Sequence, residues 1–254
     1  MSVSRLRHLS VLTLLAVAAL AGAASRADIY DEAVAHVGRP DKDVQRDALD
    51  HPAEVLRLAG IKPGMKVADI MGGTGYYAEL LSYIVGPKGR VYLVNNSAFE
   101  TWSEGKWKER TARLPNVEHR IEDLEHLTLP PHSLDAVLLI KVYHDLYWVS
   151  TDPEDHWPKY DVNHVLTEVA RVLKPGGVLL LVDHSAKAGT GSADAGSLHR
   201  IDEAFTQADF EKHGFKLVAK SDALRRPDDP RDAITYKGPM VGKTDRFVLV
   251  LRKS

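Results

Sequence analysis

Three histidines stand beside carboxylates where apolar runs end: Tyr143-His144-Asp145, Asp183-His184 and His199-Arg200, with Asp202 close behind the last. A neutral imidazole is the side chain best suited to removing a proton near neutral pH, and a carboxylate orients it and stabilises its charged form. His144 or His184 is therefore expected to activate an acceptor hydroxyl or amine, with Asp145 and His199 completing the catalytic set. The bland alternative for each histidine is to cap a strand end or bond backbone. The same side chains offer nitrogen and oxygen ligands suited to zinc or iron, but their spacing matches no short-range ligand motif. No metal is assigned, and a metal-free base is preferred.

A second chemical feature is Asp69-Ile70-Met71-Gly72-Gly73-Thr74-Gly75. Glycines between a strand and a helix let a ligand touch the backbone where free N–H groups point outward, although a steric turn alone would also use them. Gly73-x-Gly75-x-x-Ala78 also satisfies the dinucleotide fingerprint, yet the next strand ends Val94-Asn95-Asn96 without the acid that a dinucleotide's ribose requires.

The elements that must position these residues alternate. Apolar runs at 67–70, 91–94, 117–121, 134–140 and 178–182 read as strands, separated by helical periodicity at 76–85, 98–113 and 162–173 after an opening helix at 52–59. A helix over 198–213 precedes strands at 215–219 and 247–251, which have no helix between them and should pair antiparallel. The fold class is α/β, a Rossmann-like seven-stranded sheet with helices on both faces and an antiparallel last strand. Open sheets of this kind bind ligands outside the carboxyl ends of their strands, where both chemical features fall.

All four tryptophans follow the second or fourth strand. They could form an aromatic lid over an apolar or aromatic acceptor. For Trp102 and Trp107, helix packing is the favoured reading; for Trp148 and Trp157, a loop role.

The 254 residues carry 33 Lys plus Arg against 35 Asp plus Glu, and this balance lacks the basic footprint of a nucleic-acid binder. The absence of cysteine excludes thiol catalysis, disulfides and Cys-ligated zinc. Arg5, Arg7 and His8 precede an apolar run at 9–24 and a small-residue site, so 1–27 read as a signal peptide cleaved after Ala23 or Ala27, with 28–254 as one domain. Cleavage leaves 30 basic and 35 acidic side chains, a formal charge of -5. The run is shorter than the ~20 residues a spanning helix needs, so a periplasmic or secreted protein without a stable membrane anchor is expected.

The glycine segment resembles the first motif of class I S-adenosylmethionine-dependent methyltransferases. Leu173-Lys174-Pro175-Gly176-Gly177 is similar to that family's turn before strand five, and Ser133-Leu134-Asp135-Ala136-Val137 to its strand-four motif. His51-Pro52-Ala53-Glu54, Gly75-Tyr76-Tyr77 and Leu198-His199-Arg200-Ile201-Asp202 resemble segments of an exported, poorly characterised group within it. The resemblance implies methyl transfer from S-adenosylmethionine to a small-molecule acceptor, with Asp69, Gly72, Gly73 and Gly75 at the cofactor's amino-acid end. It places Asn95 at the ribose, where the family usually has an acid, and Asp123 on the adenine side; Met71 stands where the family commonly has glycine. The alternative is an exported protein of this fold that has lost the cofactor and serves as a binding protein or a His/Asp enzyme, metal-dependent or not.

Overall fold

Strands rich in Val, Leu and Ile, apolar at successive positions, satisfy their backbone in a sheet covered on both faces. In the computed structural model, which describes residues 28–150 and 157–254, the central strands do so within one seven-stranded sheet. The expected signal peptide lies outside the described residues.

The chain opens with helices α1 (Ile29–Val34), α2 (Asp41–Asp50) and α3 (Pro52–Ala59). It continues through β1 (Lys66–Ile70), α4 (Tyr76–Val85), β2 (Arg90–Asn95), α5 (Ser97–Ser103), α6 (Trp107–Ala112), β3 (Val117–Ile121) and β4 (Leu134–Ile140). A 3-10 turn, His144–Tyr147, precedes α7 (Val162–Val172) and β5 (Leu173–His184). Then come α8 (Ala195–Leu198), α9 (Glu203–Lys212), β6 (Phe215–Ser221) and β7 (Arg246–Lys253).

The strand order is β3-β2-β1-β4-β5-β7-β6, with β7 antiparallel to both β5 and β6. The expected antiparallel closing strand is therefore present, inserted beside β5. Alternate residues feed two cores: Val137, Leu139, Leu179 and Leu181 pack with α7 and α9, while Ala136, Leu138, Leu180 and Val182 pack with α3 and α4. Each fully buried Val or Leu contributes about 1.5–3 kcal/mol relative to exposure.

Two helices are shorter than their periodicity predicts. The 98–113 segment breaks at Glu104 and Gly105, both left-handed with φ of 50° and 66°, a conformation that ends a helix. The 198–213 segment breaks at His199, φ 52°, because Ile201 leaves the helix to pair with Ser185 beyond β5. Helices α1 and α2 were not marked by apolar periodicity. Charge holds α2 in place instead: Asp43 pairs with Arg110 at 2.6 Å, and Asp50 with Lys141 at 3.0 Å and with Arg246.

The order reverses between β1 and β4, and such a switch point opens a crevice at the carboxyl ends. The glycine segment leaves β1 on one side of it; His144 and Asp145 follow β4 on the other.

Candidate active site at the switch point

The glycine turn is shaped around Asp69. A Cβ on Gly72 would fall on the Asp69 carboxylate, 2.6 Å from its Cγ, and 2.6 Å from Leu93 Cδ1, so only glycine passes. Gly73 and Gly75 are left-handed, φ 59° and 83°, and a Cβ on Gly73 would meet Trp102 at 2.9 Å. Met71 is also left-handed, φ 54°, held by its N–H donating to Val94 O at 2.6 Å. Such a backbone is natural for glycine and strained for methionine. Asp69 is buried, and its Oδ2 has no hydrogen-bond partner among the described residues. Burial pushes its carboxyl up to about 7, against the pull of the Ala78 N–H and of Arg46 and Arg110.

Arg110, which carried no sequence signal, clamps this turn. Its Nε donates to Thr74 O at 2.8 Å while its guanidinium pairs with Glu79 and Asp43. Asn95 is spent on the same turn: Gly73 N–H donates to its Oδ1 at 2.9 Å, and its Nδ2 donates to Gly73 O at 3.1 Å. Asn96 instead reaches a cavity of about 460 Å³ that Asp123, Ser97 and Tyr160 also line. Asp123 is exposed there, bonded to His126 and the Glu125 N–H. An Asn95→Asp change would put a buried carboxylate against a carbonyl and lose a donor. It is expected to destabilise the fold by about 1–3 kcal/mol in urea unfolding and to weaken ligand binding, whereas an amide facing the ribose would give tighter binding.

Across the crevice, His144 is held from behind. Asp183, fully buried near the end of β5, accepts the His144 N–H at 2.9 Å through Oδ2 and faces Nδ1 at 2.7 Å through Oδ1. His144 Nε2 then lies 3.2 Å from Asp145 Oδ1 and 3.2 Å from His199 Nδ1, which is itself 3.3 Å from that same Oδ1. Burial alone would lower His144, but Asp145 and Asp183 outweigh it and push its pKa up to about 10.

His184 stands apart. Its Nδ1 meets Thr244 Oγ1 at 2.7 Å, its ring centre is 6.0 Å from that of His144, and burial with neighbouring cations pushes its pKa well below the usual histidine range. Of the three histidines, the fold thus joins His144 and His199 with Asp145. Asp202 caps α9 through Ala204 N–H, and Arg200 is a buried partner of Asp229. Asp183 could have been suspected from its place beside His184; its pairing with His144 could not.

Asp50, at the end of α2, is buried among three cations. Arg46, Lys141 and Arg246 converge on its carboxylate, holding it well below the usual range, while burial and the two arginines lower Lys141 to about 8.

Aromatic rings run from one feature to the other. Trp102 neighbours Phe99 (5.7 Å between centres), Phe99 neighbours Trp157 (5.8 Å), Trp157 neighbours Trp148 (5.0 Å), and Trp148 neighbours His199 (5.6 Å). Trp107 is outside this row, stacked on His119 and bonded to Glu100. Trp102, 66% exposed, is not a core residue.

Residues 68–181 match a family model described as a methyltransferase domain. The ubiquinone/menaquinone biosynthesis C-methyltransferase UbiE of Shewanella piezotolerans is 34% identical over 132 residues, 51% of this chain and 47% of its own length. That of Ectopseudomonas mendocina is 33% identical over 132 residues, again 51% of this chain and 46% of its own length. The chain thus spans about half the length of these curated relatives. Among solved structures, a SAM dependent methyltransferase from Aquifex aeolicus superposes with a TM-score of 0.56 at 22% identity, covering 84% of this chain and 98% of its own. The trans-methyltransferase CalH in complex with SAH gives 0.55 at 14% identity, covering 86% and 60%.

S-adenosylmethionine is the cofactor this domain implies, and the residues fit it. The orphaned Asp69 oxygen beside a cradle that a Cβ would fill suits a cationic amino-acid end. The polar cavity at Asn96 and Asp123 lies on the adjoining strands.

Proposed function

We propose that this chain is an exported methyltransferase, of the exported group its motifs resemble, that moves a methyl group from S-adenosylmethionine to a small apolar or aromatic acceptor. Asp69 carries the reading: a buried, unpartnered carboxylate oxygen under Gly72, at the switch point of a methyltransferase domain, is costly unless a ligand satisfies it.

Bound there, S-adenosylmethionine supplies a methyl group on a positively charged sulfur, open to in-line displacement. Asp69 holds its amino-acid end, Arg110 and Asn95 keep the glycine turn rigid, and Asp123 offers a polar contact on the nucleoside side. The ring row supports an aromatic acceptor, laid against Trp148 and Trp157 with water excluded. Relatives named for C-methylation in ubiquinone and menaquinone biosynthesis point the same way. Asp145, His144 and His199 form the polar end of that wall, where an acceptor's proton is lost.

Calorimetry of the purified chain with S-adenosylmethionine and S-adenosylhomocysteine is expected to show one site for each. Binding of neither would leave a methyltransferase-fold protein serving another ligand. For export, mass spectrometry of the native protein is expected to find an amino terminus near Ala24 or Asp28 in a periplasmic or secreted fraction. An intact Met1 terminus in cytosol would overturn it.

A further inference from the structure

We infer that His144 Nε2, His199 Nδ1 and Asp145 Oδ1 form a three-ligand site for a divalent first-row transition ion such as zinc. The three atoms make a nearly equilateral triangle with edges of 3.2, 3.2 and 3.3 Å. Ligands at about 2.0–2.1 Å from a zinc ion lie about 3.0 Å apart in an octahedron and about 3.4 Å apart in a tetrahedron, so the triangle is one face of such a polyhedron.

What aims the ligands also favours an ion. The Asp183 carboxylate grips His144 through both the Nδ1 side and the main-chain N–H, a support that metal-ligating histidines characteristically have. With the His144 proton on Nδ1 toward Asp183, Nε2 presents a lone pair to a second imidazole nitrogen and a carboxylate oxygen. One proton can bridge two of those atoms, whereas one metal ion serves all three. His199 is brought in by a left-handed backbone, φ 52°, between α8 and the Ser185–Ile201 bridge. Two imidazoles select zinc, iron or cobalt over magnesium or calcium, and three protein ligands leave coordination positions for water or an oxygen-bearing molecule. His144 and Asp145 are buried and His199 is half-buried beside Trp148 and Tyr236, so the face is shielded but reachable. This reverses the preference for a metal-free base drawn from spacing alone, and the site stands whether or not the chain transfers methyl groups.

The test uses the full chain, stripped with a chelator and titrated with Zn²⁺, Co²⁺ and Mg²⁺ alone. One Zn²⁺ per chain is expected by elemental analysis after gel filtration. Co²⁺ should give a visible d–d band, and Mg²⁺ should not bind. His199→Ala and Asp145→Asn should each weaken Zn²⁺ by at least about 100-fold, and Asp183→Asn by about 10–100-fold as a positioning residue. His126→Ala removes an exposed histidine whose ring lies 5.1 Å from that of His164, and should leave binding unchanged. Circular dichroism and S-adenosylmethionine calorimetry on each variant separate lost metal from lost fold or lost cofactor. No stoichiometric Zn²⁺ in the folded wild type, or loss with His126→Ala but not with His199→Ala, would overturn the site.

Discussion

Gly72→Ala is expected to weaken S-adenosylmethionine binding by at least about 100-fold, near 2.7 kcal/mol. The added Cβ would sit 2.6 Å from Asp69 Cγ and 2.6 Å from Leu93 Cδ1, and neither can retreat, since both are buried. The carboxylate that the cofactor's cationic end requires is then displaced. Overpacking of this kind also costs about 1–3 kcal/mol of stability, read by urea unfolding. Unlike Gly73 and Gly75, Gly72 has no left-handed φ, so the substitution tests space alone. Gly176→Ala is the matching control: φ is 72° and nothing lies within 4 Å of the new Cβ. It should cost about 1–2 kcal/mol of backbone strain and leave the dissociation constant unchanged. A folded Gly72→Ala protein with wild-type affinity would remove the glycine turn from the cofactor site.

The second large effect is expected at Asp69. Burial raises its pKa from the ordinary 3.8 to about 7, with Arg46 and Arg110 only partly opposing. Between those values the folded chain holds a proton that the unfolded chain has released. Stability from this group is therefore lost as pH rises from about 4 to about 7, and is level above that, a change of up to about 4 kcal/mol. Asp69→Asn mimics the protonated acid. The variant should melt above wild type at pH 8, should lack this part of the pH slope, and should bind S-adenosylmethionine at least about tenfold more weakly, having lost its anionic partner. Melting curves across pH 4–8 with calorimetry at pH 8 measure both. An unchanged slope would mean that Asp69 is already ionised at pH 4; unchanged affinity would make it structural only.

The sheet was legible because its signals are local. Apolar runs at 67–70, 134–140 and 178–182 bury both faces, and the turn at Gly86-Pro87 ends α4 directly after Val85. The absence of a helix between Phe215–Ser221 and Arg246–Lys253 was enough to predict an antiparallel pair. The glycine turn was legible as well, since the need for space beneath Gly72 is written in the residue itself.

The partners of those residues were not legible. Asn95 and Asn96 are adjacent and chemically alike, yet one amide locks Gly73 while the other caps α5 and donates to Tyr160, because β2 ends at Asn95 and Asn96 already begins the next helix. His184 and His199 looked equivalent, but only His199 meets His144, across 55 positions of sequence. Strand order puts β4 beside β5 and so Asp183 behind His144; the Ser185–Ile201 bridge then turns His199 inward. Periodicity and turn chemistry record what a residue needs from its immediate neighbours along the chain. Which side chains converge at a switch point depends on crossover geometry summed over the whole sheet, and no local pattern carries it.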